Sequence, residues 1–120
     1  MTMYLEVWSL PARWPAPKWF LVMGHTGCGA IKGAIDVAQL GNLTGLLNKI
    51  KPAVDATHYQ GERTSKNGEF VDEVAKTNVR LTIGAIRERS NVLAGLEKDG
   101  KIKIIGSMYR LAGGRVDFFT

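Results

Sequence analysis

The sequence has one cysteine, Cys28, and two histidines, His25 and His58. A single cysteine excludes an intrachain disulfide, and nothing else in the composition calls for an oxidising compartment, so a cytoplasmic location is the default expectation. Long apolar runs are missing as well. The longest, residues 19–23, is far too short to span a bilayer, and the N-terminus lacks the basic, apolar and small-residue order of a signal peptide. Proline is scarce beyond residue 17: Pro11, Pro15 and Pro17 crowd into the first stretch and leave Pro52 alone in the rest. There is no block of like charge, no internal repeat and no low-complexity tract. The basic residues are scattered singly or in pairs through Lys49, Lys51, Arg87, Arg89, Lys101 and Lys103, which argues against a specific nucleic-acid-binding tail.

What is present is ordinary globular composition. The 120 residues are 45% apolar and 22% charged, enough for one domain with a genuine core and too few for two. Sixteen Lys and Arg against eleven Asp and Glu give a net charge of +5, a field that attracts small anions. Residues 1–19 stand apart, because all three tryptophans (Trp8, Trp14, Trp19) lie there beside the three prolines. Alternating Pro and Trp suits neither helix nor strand.

From residue 20 onward the pattern is regular. Phe20, Leu21, Val22 and Met23, stopped by Gly24, read as a strand buried on both faces. A glycine-rich turn over residues 25–29 follows. Ala30, Ile31, Ala34, Ile35 and Ala38 then fall on one stripe of a short helix over residues 30–39. Leu43, Leu46, Leu47 and Ile50 predict a second helix ending before Pro52. Residues 55–68 are polar and read as loop. Residues 69–96 carry the longest helical pattern, through Val71, Val74, Ala75, Val79, Ile83, Ile86 and Leu93, closed by Asp99 and Gly100. Residues 101–107 read as a strand, and the Gly113-Gly114 turn leads into a closing hairpin strand over residues 115–119. Strand, turn, helices, strand is the order of a βαβ unit with a parallel sheet, in which ligands bind at the C-terminal ends of strands. The turn over residues 25–29 occupies that place.

That turn carries His25 and Cys28 as His-x-x-Cys, among Gly24, Gly27 and Gly29. Imidazole nitrogen and thiolate sulfur both suit zinc, and the glycines would let two side chains converge on one ion. The pair alone is weak evidence, since a lone His-x-x-Cys arises easily by chance. The other polar candidates have simpler structural readings: His58 as a solvated loop side chain, Asp36 and Asp55 as exposed acids, Tyr109 as a core residue and Met108 as packing.

The stretch Val22-Met23-Gly24-His25-Thr26-Gly27-Cys28-Gly29-Ala30 resembles the zinc-site signature of the β-class carbonic anhydrases. Leu46-Leu47 with Ile50-Lys51-Pro52-Ala53-Val54, then Asn78-Val79, Lys103-Ile104-Ile105-Gly106-Ser107-Met108-Tyr109 and Gly114-Arg115-Val116, look like that family's later landmarks. The likeness covers residues 20–120. It implies an α/β fold: a small, mainly parallel sheet flanked by helices, a truncated version of the family fold with a C-terminal hairpin strand. It also implies a lyase that interconverts carbon dioxide and bicarbonate through zinc-bound hydroxide, with zinc as cofactor, and a homodimer or higher homo-oligomer. His25 and Cys28 would be metal ligands, and Gly29 is similar to the glycine whose backbone lies beside the reacting species. The family's first zinc cysteine lies in an upstream Cys-x-Asp-Ser-Arg segment, whose Asp and Arg form a dyad controlling the metal-bound water. No such segment occurs in the 120 residues. A catalytically impaired remnant, or a non-catalytic interaction subunit that keeps part of the fold, is therefore the competing reading, with His58, Glu62 or a second subunit as substitute sources of a ligand.

Residues 1–19 do not resemble the family. Tryptophan has only the codon TGG, so after a codon ending in G a frame read one nucleotide upstream gives valine, and a proline codon likewise gives alanine. A single-nucleotide shift near Phe20, with translation starting inside a once longer gene, is the expectation. Coding DNA in which the codons before Trp14 and Trp19 do not end in G rules it out.

Overall fold

The structure, a computed structural model, describes residues 3–6, 18–39 and 41–119, with the backbone alone for Met3–Glu6. The Pro- and Trp-rich stretch over residues 7–17 lies outside the described residues. Four strands form one sheet in the order β1 (Met3–Glu6), β2 (Lys18–His25), β3 (Ile102–Arg110), β4 (Arg115–Phe119). The central pair β2 and β3 is parallel, from Lys18 opposite Ile102 to His25 opposite Tyr109. The edge strands β1 and β4 each run antiparallel to their neighbour, so the α/β class holds with a mixed sheet around one parallel pair. β2 begins at Lys18, two residues before Phe20, where the strand was expected to start.

Between β2 and β3 the chain forms α1 (Gly29–Ile35), a 3-10 turn (Gly41–Leu43), α2 (Thr44–Ala56), α3 (Gly68–Arg89) and α4 (Asn91–Lys98). Several boundaries differ from the sequence expectation: α1 ends at Ile35 rather than at residue 39, and β3 runs to Arg110 rather than to residue 107. Pro52 lies inside α2 rather than beyond its end. Its missing N–H costs one ladder bond, to the carbonyl four residues earlier, but Pro52 is exposed and water can serve that group. The long pattern over residues 69–96 is two helices, because Ser90 adopts an extended conformation (φ −115°, ψ 97°) and its side chain accepts the Leu93 N–H as the N-cap of α4.

The core lies between α3 and one face of β2 and β3. Phe20 and Val22 point into it from β2, with Ile102, Ile104 and Met108 from β3. They meet Phe70, Val71, Val74, Val79 and Ile83 of α3, and α1 and α2 add Ile31, Ala34, Leu47, Ile50 and Ala53. The predicted stripe of α3 is thus its buried face, with Phe70 an addition that the spacing pattern passed over. The polar loop after α2 is ordered by Arg63, whose two guanidinium nitrogens each donate, at 2.9 Å, to the carbonyls of Thr57 and Val54, while the guanidinium stacks 4.7 Å from the Phe70 ring centre. Among the described residues no helix is long and apolar enough to cross a membrane.

Candidate metal centre

β2 delivers His25 at its C-terminal end, and the next three residues turn the chain into α1. Gly24 permits the close approach that fixes this end of the strand. A Cβ there would meet Met108 Sδ at 2.9 Å and Val79 Cγ2 at 3.0 Å, so glycine is what lets β3 and α3 close on the base of the turn. Gly27 then takes a left-handed conformation (φ 63°), the second place where glycine is needed.

The turn is stitched to both neighbours. Thr26 N–H donates to the Tyr109 carbonyl at 3.0 Å, and Thr26 Oγ1 accepts the Leu111 N–H at 3.0 Å, which ties it to the hairpin between β3 and β4. Gly27 N–H donates to Asp72 Oδ1 of α3 at 3.1 Å. His25 is half-buried, and its Nδ1 lies 2.8 Å from the Thr26 carbonyl oxygen. A carbonyl can only accept, so Nδ1 carries the proton and the ring's lone pair is on Nε2. Cys28 occupies the N-cap position of α1 and is 1% exposed, counted within the core. Gly29 is exposed, the first residue of α1.

The donor chemistry suits zinc in kind, because a ring held at Nδ1 by a backbone carbonyl is oriented as metal-ligating histidines usually are, with a cysteine sulfur three residues on. The number of donors falls short. Among the described residues no group of three or more His, Cys, Asp or Glu side chains is arranged to hold a metal ion. His58 and Glu62 are exposed in the loop after α2.

Beside the turn lies a cleft of about 160 Å³ lined by Thr26, Asp72, Glu73, Lys76, Arg110 and Asp117, among others. Arg110 pairs with Asp117, and this hydrogen bond above all holds the Asp117 carboxyl below its ordinary range, with Arg115 and Lys76 adding attraction. The larger cleft, about 570 Å³, lies away from this chemistry between α2, α3 and α4, lined by Leu46, Ile50, Ile86 and Leu93; it takes in Ala30, but neither His25 nor Cys28.

The sequence reading singled out His25 and Cys28 as candidates but not Asp72, which stands in a helix among other acids, 45 residues from the turn it holds. No local signal marks it.

Residues 17–116 match the family model for carbonic anhydrase. The chain belongs to the β-class carbonic anhydrase family. It is 30% identical over 98 residues to a carbonic anhydrase of Mycolicibacterium smegmatis, an overlap that takes in 81% of this chain and 47% of that protein. To carbonic anhydrase 2 of Mycobacterium tuberculosis it is 28% identical over 100 residues, 79% of this chain and 45% of the relative. It therefore spans just under half the length of these relatives. Two solved structures share the fold: the β-carbonic anhydrase CcaA (TM-score 0.62, 18% identity, 83% of this chain and 50% of that one) and CafA of Aspergillus fumigatus (TM-score 0.65, 23% identity, 82% and 47%).

Proposed function

We propose that this chain is a cytoplasmic zinc protein of carbon dioxide and bicarbonate chemistry, in which His25 and Cys28 supply two of the metal's ligands. The observation that carries the reading is the turn at the end of β2, which holds His25 Nδ1 on the Thr26 carbonyl, an arrangement common among metal-ligating histidines. Zinc, when bound, supplies a Lewis acid that makes water acidic enough to be a nucleophile near neutral pH. The chain's own residues do the positioning. Thr26 and Asp72 hold the turn against β3, its hairpin turn and α3, and Gly29, exposed at the start of α1, is the residue whose backbone the family resemblance assigns to the small reactant. The net charge of +5 favours bicarbonate at long range.

A catalytic zinc takes three protein ligands, and among the described residues no group of three or more His, Cys, Asp or Glu side chains is arranged to hold one. That shortfall supports the second reading, a chain that binds zinc loosely and hydrates carbon dioxide slowly or not at all by itself, its site completed by a second subunit of a homodimer or larger assembly. The experiment is bound zinc and carbon dioxide hydration, measured for the chain and for Cys28→Ser. The expected result is substoichiometric zinc that Cys28→Ser abolishes, with little hydration. Stoichiometric zinc and a brisk, Cys28-dependent rate would show that two ligands suffice, while zinc retention indifferent to Cys28→Ser removes the metal centre from this turn.

A further inference from the structure

We propose that Asp72 is a positioning residue for His25, acting through the peptide unit that joins Thr26 to Gly27. That one peptide is held from both sides. Its carbonyl oxygen accepts from His25 Nδ1 at 2.8 Å, and its N–H donates to Asp72 Oδ1 at 3.1 Å. Hydrogen bonds in series polarise one another, so a carboxylate drawing on the N–H makes the carbonyl a better acceptor and strengthens its hold on the imidazole. The ring is fixed in its plane, and its proton is kept on Nδ1. Metal-ligating histidines commonly rest on a carboxylate or a backbone carbonyl; here the carboxylate acts one peptide removed.

The placement of Asp72 is built into the fold. It is half-buried at the fifth position of α3, directly after Phe70 and Val71, both 0% exposed and anchored in the core. The left-handed φ of Gly27 belongs to the turn that brings its N–H onto α3. A longer side chain at residue 27 would strain that conformation, and a shorter acceptor at residue 72 would not reach across. Asp72 thereby joins α3 to the turn at the end of β2.

The consequence for metal binding rests on the zinc reading given above, but the consequence for the imidazole does not, and the two are measured separately. In the metal-free, isotopically labelled chain at mildly alkaline pH, long-range proton–nitrogen correlation reports which ring nitrogen of His25 is protonated. The expected result is Nδ1–H in the wild type and in Asp72→Asn, whose amide oxygen still accepts. Asp72→Ala, checked for folding by far-ultraviolet circular dichroism, is expected to mix in Nε2–H and to speed Gly27 amide exchange. Zinc affinity by chelator competition should then fall about 10–100-fold in Asp72→Ala and hold near the wild-type value in Asp72→Asn. Nε2–H in the wild type overturns the proposal, a result that needs no variant to fold. So does an Asp72→Ala chain with unchanged tautomer and unchanged Gly27 exchange. If the tautomer responds as expected while the wild type binds no zinc through Cys28, the role of Asp72 stands and the zinc reading falls.

Discussion

A methyl group on Gly24 would press on Met108 Sδ at 2.9 Å and on Val79 Cγ2 at 3.0 Å. The sulfur can swing aside more easily than the valine, whose branched side chain is packed at 0% exposure. Gly24→Ala is therefore expected to cost about 1–3 kcal/mol, the usual penalty of overpacking, read as a lower urea midpoint. Because the clash is shared with Met108, Gly24→Ala with Met108→Ala should cost less than the sum of the two single changes; strict additivity would show that the new methyl is accommodated elsewhere. At this scale His25 and Cys28 stood out only through the family resemblance of the turn that carries them, because a lone His-x-x-Cys arises easily by chance. Asp72 did not stand out, because a hydrogen bond across 45 residues depends on where α3 lands and leaves no trace in the local sequence.

Ser90 and the Arg87–Glu97 pair decide how α3 hands over to α4. Periodicity carries through residues 69–96 because α4 packs its partly buried Leu93 and Leu96 against the same core in which α3 buries its stripe, which is why hydrophobic spacing alone read them as one. A serine in the middle of such a pattern marks the break only once its hydroxyl is seen to cap Leu93. Pro52 misled in the opposite direction, since proline is a stop signal only where its lost bond cannot be made good. Arg87 grips Glu97 through Nε and Nη2, both at 2.8 Å. That hydrogen bond is the main cause of a Glu97 carboxyl held below its ordinary 4.5. A carboxyl whose folded value is depressed stabilises the fold above its unfolded value, and the contribution disappears as pH falls through the folded one. With side-chain exposures of 47% and 27% the pair is largely screened, so Arg87→Met should lower stability at neutral pH by only about 0.5 kcal/mol. Urea unfolding should show that deficit at neutral pH and lose it well below pH 4.5. A deficit that persists in acid would mean that the arginine acts by packing its stem rather than by charge.

Among the described residues, the helices pack on the face of the sheet that carries Phe20, Val22, Ile104 and Met108. The strand pattern was readable because β2 and β3 are apolar on both faces, but the sequence could not say what meets the second face. On that face Leu21 stands opposite Ile105 and Met23 opposite Ser107, with Phe118 alongside on β4. Ile105 is buried yet stands outside the core that α3 covers. Trp19 and Phe118, at 47% and 60% exposed, flank it. Parallel pairs normally lie between two covered faces, so this arrangement favours a second layer supplied by another copy of the chain. The outer edge of β4 is a poor alternative, being five residues long and carrying Arg115 and Asp117. Sedimentation velocity at micromolar concentration is expected to show a dimer or larger species, and Trp19→Glu with Phe118→Glu to shift it toward monomer by burying charge in the contact. A wild-type chain that sediments as a 13.1 kDa monomer rules association out. If the wild type associates and the double variant still does, the copies meet through another surface, such as the apolar cleft lined by Leu46, Ile50 and Leu93.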